Sequence, residues 1–186
     1  MKTSIKSYAN SLPVFRLEEF FDGPCVATGV FQDRNGRIKN RFVMHLLGSW
    51  QGKHGQLLEK FLFLDDLQQG STAERKWELE LRDAGHFVGK AKGSAGDILG
   101  TAQGESQGYA MHWRYTVRQP VGKKFYPLRA DDWMYLLDTD HVINRTRMYY
   151  HFFYVGEVSI EIHRLENTAA NRDAMLQFPE LKGVQK

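Results

Sequence analysis

The sequence predicts an all-β fold: a roughly ten-stranded antiparallel up-and-down barrel with a short N-terminal helix and a C-terminal helical tail. Apolar and polar residues alternate in many short segments, most clearly over residues 109–118 and 157–162. Short turns rich in Gly, Asn and Asp separate these segments, so successive strands are expected to pair. A sheet of this many successive antiparallel strands avoids exposed edges by closing on itself.

The composition favours one globular domain and argues against several functions. The chain has 186 residues, of which 42% are hydrophobic, enough for a substantial core. Its 25 basic and 22 acidic residues are interspersed, which indicates a mixed solvated surface and no nucleic-acid partner. There is no run of about 18 apolar residues, so no membrane-spanning helix is expected. The single cysteine, Cys25, excludes an intramolecular disulfide and is expected to be a buried thiol.

The expected domain organisation is simple. Residues 1–13 are predicted to be a flexible lead, residues 14–165 a single barrel domain, and residues 166–186 a helical or flexible tail. Within the barrel domain, apolar residues at positions 14, 17, 20 and 21 predict one or two helical turns, placed to plug one end of the barrel.

The first strands follow from turn signals and alternation. Asn35-Gly36 predicts a two-residue type I′ turn, which sets Phe31 opposite Asn40. The inward face of this hairpin is expected to hold Cys25, Ala27, Gly29, Phe31, Ile38, Asn40, Phe42, Met44 and Leu46. Residues 56–64 and 76–82 are the next strands. Residues 86–104 form Gly-rich strands, a composition that marks sharp bends or the close approach of another backbone.

The last three strands, over residues 131–164, carry the candidate site. A two-residue turn at 139–140 sets Tyr135 opposite Asn144. One face is then largely apolar and holds Asp131, Trp133, Tyr135, Leu137, Val142, Asn144 and Met148. The other face holds Asp132 opposite Arg147, with Arg145 diagonal to it. A filled core and a hollow, ligand-binding interior fit the aromatic face equally well.

A ligand cavity in a barrel needs apolar walls for affinity and sparse polar groups for orientation. The residues expected to bind a ligand are Phe31, Phe42, Trp113, Tyr115, Trp133, Tyr135 and Asn144. A polar cluster is expected beside them, formed by Asp97, Arg114, Asp131, Asp132, Arg145 and Arg147. Asp132 with Arg147 is expected to be a structural ion pair. An inward Asp131 requires a partner, such as Asp97 or Arg114, or a raised pKa.

No catalytic residue, cofactor or metal site is predicted. The seven histidines are scattered, with no pair at a metal-ligand spacing along one helix or strand. There is no Gly-x-Ser-x-Gly elbow, phosphate-binding loop or cysteine pair. Asp131 and Asp132 point to opposite faces of their strand, so they cannot share a proton as a catalytic dyad does.

The order of motifs is similar to that of a known bacterial family. FFDGP is followed by ATGVFQDRNGRIKNRF, LGSWQGKHGQLLEKF, RKWELEL, DILGTAQG, MHWRYTVRQPV, DDWMYLLDTDHVINRTRM and GEVSIEI. Over about residues 15–164 the chain resembles the DUF3833 family, a domain of unknown function. The resemblance implies a lipocalin-like (calycin-like) β-barrel and a lipid-handling role, and it carries over no catalytic residues.

The sequence departs from the family pattern in two places. The signal peptide and lipobox of many membrane-anchored members are missing, so the chain as given is expected in the cytoplasm, and at the envelope if its start is misassigned. After Met148, the resemblance implies a lysine followed by Phe-Gly, whereas this chain has aromatic residues and a histidine over 149–153.

Three functions from different classes fit these features. The first, and the leading one, is a non-enzymatic barrel that binds a fatty acyl or other small apolar ligand, with Arg114 or Asn144 at its head group. The second is an enzyme on a lipid-like substrate that uses Asp131, Asn144 and Arg145. The third is a non-catalytic partner of a lipid-modifying system at the membrane surface, with residues 149–153 as its contact patch.

Overall fold

The computed structural model describes residues 3–65, 70–121 and 124–180. The strands within these residues are β1 (Gly23–Asp33), β2 (Ile38–Gln51), β3 (His54–Phe63), β4 (Thr72–Leu81), β5 (His86–Lys92), β6 (Asp97–Ile98), β7 (Ala102–Gln107), β8 (Ala110–Val121), β9 (Lys124–Leu136), β10 (His141–Tyr150) and β11 (Phe153–Arg164). Helix α1 (Leu17–Phe20) precedes the strands and helix α2 (Ala169–Met175) follows them. Short 3₁₀ turns lie at Ile5–Tyr8 and Asp83–Gly85.

The strands form a closed antiparallel barrel of ten strands. Each strand pairs with the next along the chain, except that β7 passes over the two-residue β6 to pair with β5. Strand β11 returns to pair with β1 and closes the barrel, while β6 pairs with the end of β8. The predicted fold class, an all-β up-and-down barrel with a short helix at each end, is confirmed.

Helix α1 closes one end of the barrel. Phe15 lies just before this helix, and its backbone N–H donates to the carbonyl oxygen of Gly108 in the β7–β8 turn at 2.7 Å. Phe15, Phe20 and Phe21 are all buried. The carbonyl oxygen of Phe21 lies so close to Gly48 of β2 that a Cβ there would overlap it. Glycine is therefore required at position 48 for the helix to sit against the strand.

The first hairpin keeps its predicted register along most of its length, including Phe31 opposite Asn40. Its loop holds three residues rather than two, with Gly36 in the left-handed conformation at φ 80°. A bulge next to Phe31 absorbs the extra residue. Beyond the bulge the faces of β2 are reversed, so Ile38, predicted to face inward, is exposed.

The predicted register of the β9–β10 hairpin is wrong by one residue. The carboxylate of Asp138 accepts the backbone N–H groups of Asp140 at 2.8 Å and His141 at 2.9 Å, which takes Asp138 into the loop. The loop therefore holds three residues, and Leu137 rather than Asp138 pairs with His141. A slip of one residue turns every side chain of a strand to the opposite face.

This slip exchanges the two faces of β9 relative to the prediction. Asp132 lies opposite Thr146 instead of Arg147, and both face the interior. Trp133 lies opposite Arg145 and faces outward, as does Tyr135. On β10 the predicted inward residues Val142, Asn144 and Met148 do face the interior, and Thr146 lies on the same face.

The segments around Tyr8 and helix α2, which flank the strands, pack on the outside of the barrel. The ring of Tyr8 contacts those of Tyr109 at 5.3 Å and Tyr135 at 5.8 Å between centroids. Helix α2 lies against β1 and β2, with Met175 buried and His45 Nδ1 2.9 Å from the carbonyl oxygen of Gln177. The division of the chain at residues 13 and 165 and the flexibility of its two ends stay predictions. None of the described helices is long and apolar enough to cross a bilayer.

Candidate functional site

A cavity of about 420 Å³ lies inside the barrel. Aromatic and aliphatic side chains dominate its wall, among them Phe31, Phe42, Phe61, Phe63, Trp77, Met111, Trp113, Met148 and Val158. Leu17 and Phe21 of the α1 region form its closed end and are buried. Toward the other end Phe31, Phe63 and Val155 are half-buried, so in the part of the chain that the structure describes the cavity opens there. The volume lies within the range of small-molecule sites, roughly 300–1,000 Å³.

The Gly-rich strands make room for the aromatic wall. A Cβ at Gly104 would overlap the rings of both Phe87 and Trp113, which stack at 4.5 Å between centroids. Gly29 of β1 is in the same relation to the ring of Phe42. The density of glycine noted in the sequence therefore reflects close approach, but of side-chain rings as well as of backbone.

The carboxyl group of Asp132 is buried in the cavity wall, with 4% of the residue exposed. The Tyr115 hydroxyl donates to its Oδ2 at 3.2 Å, and the Asn144 amide donates to its Oδ1. The Thr146 hydroxyl donates to the Asn144 carbonyl oxygen at 3.3 Å, which holds the amide in this orientation.

Burial raises the pKa of Asp132 to about 7, although the hydrogen bonds from Asn144 and Tyr115, the nearby hydroxyl of Thr146 and the charge of Arg75 act in the opposite direction. Burial, with the charge of Asp132, also raises the pKa of Tyr115 well above its ordinary value. At neutral pH Tyr115 therefore remains a hydroxyl, and burial favours the uncharged form of the Asp132 carboxyl group.

A second polar group in the cavity wall is the ion pair between Glu59 of β3 and Arg75 of β4. Arg75 Nε donates to Glu59 Oε2 at 2.7 Å, and the two side chains are only 13% and 11% exposed, respectively. The guanidinium lies over the rings of Phe61 at 5.7 Å and Trp77 at 5.3 Å. Burial acts to lower the pKa of Arg75, but the charges of Glu59 and its other neighbours hold it above its ordinary value.

This ion pair was not predicted, although the sequence contains a signal for it. Arg75 has the same strand parity as Trp77 and Leu79, and Glu59 has the same parity as Leu57 and Phe61. Charged side chains are mostly exposed, so neither residue stands out by its type alone. On an otherwise apolar strand face, however, a charged residue at an inward position marks a buried polar site.

Five of the seven predicted ligand-binding residues line the cavity, namely Phe31, Phe42, Trp113, Tyr115 and Asn144. The other two, Trp133 and Tyr135, lie on the outer face because of the register slip. There the ring of Trp133 stacks on that of His112 at 4.1 Å and on that of Tyr135 at 6.1 Å.

The predicted polar cluster is divided by the barrel wall. Only Asp132 faces the cavity, so the predicted ion pair of Asp132 with Arg147 and the predicted inward Asp131 are both wrong. On the outside the contacts are Asp131 with His112 at 2.6 Å, Arg145 and Arg147 with Glu157 at 2.7 and 3.5 Å, and Arg114 with Glu105 at 3.7 Å. Asp97 accepts the backbone N–H of Gly93 at 3.1 Å.

The polar groups in the cavity wall disfavour an anionic group inside the barrel. Among the described residues that line the cavity, the guanidinium of Arg75 is already paired with Glu59, and Asp132 adds between zero and one negative charge. A carboxylate ligand would find no unpaired cation among them. An uncharged hydroxyl, carbonyl or amide can exchange hydrogen bonds with Asp132 and Tyr115, so these residues favour a neutral polar head.

The fold and this site define a closed antiparallel β-barrel with an apolar, ligand-sized interior and a small polar group in its wall. The chain belongs to the family described as "Protein of unknown function (DUF3833)", whose model matches residues 1–164. The family resemblance of the motifs is thereby confirmed. A search of curated proteins found no match to the chain.

Proposed function

We propose that this protein is a lipocalin-like carrier that binds a fatty acyl or other small amphipathic molecule in the barrel cavity. The observation that carries the proposal is the apolar cavity of about 420 Å³ with the carboxyl group of Asp132 in its wall. Each buried CH₂ contributes about 0.8 kcal/mol, so a chain of about ten methylenes gains roughly 8 kcal/mol before the costs of binding.

Hydrogen bonding in the wall supplies the specificity of the proposed carrier. Asp132, Tyr115 and Asn144 form a connected set whose members are fixed by each other and by Thr146. Such a preorganised group binds the polar end of a ligand without further ordering of side chains. Fatty alcohols, esters and amides are expected to bind better than the corresponding fatty acid anions.

Replacing Trp113 by alanine is expected to reduce retention of the ligand by about tenfold or more, because this ring forms part of the cavity wall. The measurement is native mass spectrometry of the purified protein with organic extraction of any bound lipid. Val158→Phe, which fills space at a half-buried wall position, is expected to reduce retention without leaving a void.

The matched control is Trp133→Ala, which removes the same side chain from the outer face. It is expected to leave ligand retention unchanged. A ligand-free mass for the wild type, with no gain after addition of fatty alcohols or acids, would contradict the carrier proposal, as would equal losses in Trp113→Ala and Trp133→Ala.

A second candidate function is an enzyme acting on a lipid-like substrate, favoured by the near-neutral pKa of Asp132 inside the cavity. Of the three residues predicted for this role, Asp131 and Arg145 lie on the outer face of the barrel. The third, Asn144, faces the interior and donates a hydrogen bond to Asp132. Conversion of a bound lipid over time, lost in Asp132→Asn while binding is kept, distinguishes an enzyme from a carrier.

Aromatic residues at the open end of the barrel favour contact with a membrane surface during ligand exchange. Phe152 and Phe153 at the β10–β11 turn are 94% and 75% exposed. Phe125, near the start of β9 at the same end, is also exposed. The β1–β2 loop at this end adds the exposed cations Arg34, Arg37 and Lys39. Apolar tips flanked by positive charge are suited to an anionic lipid surface.

The double variant Phe152→Ser/Phe153→Ser is expected to reduce co-sedimentation with vesicles of phosphatidylcholine and phosphatidylglycerol several-fold, because two exposed rings leave the interface. Leu137→Ser is the control, since Leu137 is an exposed apolar residue at the closed end. Failure of the wild type to sediment with these vesicles, or an equal loss in the control, would refute the membrane contact.

A further inference from the structure

Two histidines face each other on the outer face of the barrel near its closed end. His141 of β10 pairs directly with His163 of β11, and their ring centroids are 3.8 Å apart. Glu161 lies two residues before His163 on the same strand and therefore on the same face, with its Oε1 3.1 Å from His163 Nε2. One potential ligand atom from each of the three residues lies within 4.8 Å of those of the other two.

A fourth residue orients one of these rings. Asp138 Oδ2 lies 3.0 Å from His141 Nδ1. The same carboxylate is fixed because its Oδ1 accepts the backbone N–H groups of Asp140 and His141. With its Nδ1–H donated to Asp138, His141 carries its free lone pair on Nε2. A carboxylate that accepts one ring N–H and leaves the other nitrogen free is the usual partner of a metal-binding histidine.

We propose that His141, Glu161 and His163 bind a divalent transition-metal ion of the Zn²⁺ class, with Asp138 as the residue that positions His141. Two imidazoles and a carboxylate are a typical ligand set for such an ion, and water completes the coordination. Together with Asp138, the two carboxylates match the double positive charge of the ion.

Only small side-chain movements are needed to reach bonding geometry. Ligand atoms around a tetrahedral ion are about 3.3 Å apart for metal–ligand distances of about 2.0–2.1 Å. The three side chains are between 37% and 58% exposed and are free to make this adjustment. Their backbone positions are set by paired strands of a closed barrel, which favours a preorganised site over one built on loops.

No metal site was predicted from the sequence, because no two histidines have a metal-ligand spacing along one helix or strand. Here the pair is formed across two strands, and only their register brings the two residues together. The site lies on the outer face, away from the cavity wall, so the proposal does not depend on the proposed carrier function.

Zinc titration of the full-length, chelator-treated protein by isothermal calorimetry tests this proposal. One Zn²⁺ per chain is expected, and Co²⁺ is expected to give the visible absorption of a low-symmetry site. His163→Ala and His141→Ala are each expected to weaken Zn²⁺ affinity by more than about 100-fold, and Asp138→Asn by about tenfold, since loss of an outer-shell partner typically costs 10–100-fold. His163→Gln provides a second variant of the same ligand.

The matched control is His86→Ala, because His86 also lies beside a glutamate, with its Nδ1 4.0 Å from Glu105 Oε2, but has no histidine partner in that contact. Its affinity for Zn²⁺ is expected to equal that of the wild type, and circular dichroism checks that every variant is folded. Absence of a one-to-one Zn²⁺ complex in the wild type would overturn the proposal. Unchanged affinity in folded His163→Ala and His163→Gln, or an equal loss in His86→Ala, would also overturn it.

Discussion

Replacing Arg75 by methionine is expected to destabilise the barrel by about 3–5 kcal/mol, since one charge of a buried ion pair is then left without its partner. Arg75 Nε donates to Glu59 Oε2 at 2.7 Å within an apolar wall, and the two side chains are only 13% and 11% exposed. The variant also loses the contacts of the guanidinium with the rings of Phe61 and Trp77. Urea unfolding at neutral pH measures the effect as a lower midpoint.

The double variant Glu59→Leu/Arg75→Met separates loss of the pair from loss of one charge. It is expected to recover most of the stability of the wild type, because apolar residues replace both ions and no buried charge is left alone. Lys53→Met is the surface control, since the ion pair of Lys53 with Asp83 is 67% and 97% exposed. Equal destabilisation in the single and double variants would contradict this account of the pair.

Replacing Asp132 by asparagine is expected to make the protein more stable than the wild type at pH 8 and to leave its stability nearly unchanged at pH 4. The pKa of Asp132 is raised from 3.8 to about 7 in the folded protein. Between these values the unfolded chain releases the proton and the folded protein retains it. The contribution of Asp132 to stability is therefore fully present below about pH 4 and is lost as the pH rises through about 7.

The size of this effect follows from the size of the shift. A shift of one pKa unit corresponds to about 1.4 kcal/mol, so the shift at Asp132 corresponds to an advantage of about 4 kcal/mol for the asparagine variant above pH 7. Urea unfolding of both proteins across this pH range measures it, and ¹³C NMR of the Asp132 carboxyl group gives the pKa directly.

Asp173→Asn, at an exposed position on α2, is the control and is expected to show no such pH-dependent difference. A constant difference between Asp132→Asn and the wild type at all pH values would show that the effect is one of packing. Titration of the Asp132 carboxyl group near pH 4 would contradict the raised pKa and would also weaken the case for acid–base chemistry in the cavity.

The barrel could be predicted from the sequence because its signals are local. Alternation with a period of two marks each strand, and short turns between them leave few topologies other than a meander. Gly104 gives a local signal of the same kind, because glycine within a strand indicates that another group packs closely against the backbone. Here that group is the pair of rings of Phe87 and Trp113.

The candidate site was only half predictable, because the length of each loop decides which side chains of a strand face the interior. The carboxylate of Asp138 binds two backbone N–H groups and adds one residue to the β9–β10 loop. That single residue moves Asp132 into the cavity and Trp133 out of it. No pattern within β9 reveals this, since aromatic residues occur on both faces of the strand. The pairing of His141 with His163 likewise depends on a register that the sequence does not state.

The contact between Phe21 and Gly48 has a consequence for traffic through the proposed carrier. A barrel open at both ends can conduct a molecule from one side to the other, whereas a barrel closed at one end cannot. A ligand bound in such a barrel leaves through the same opening by which it entered. Delivery then depends on the whole protein turning its rim toward the recipient, so the rate is set by encounters between surfaces and not by passage along the interior.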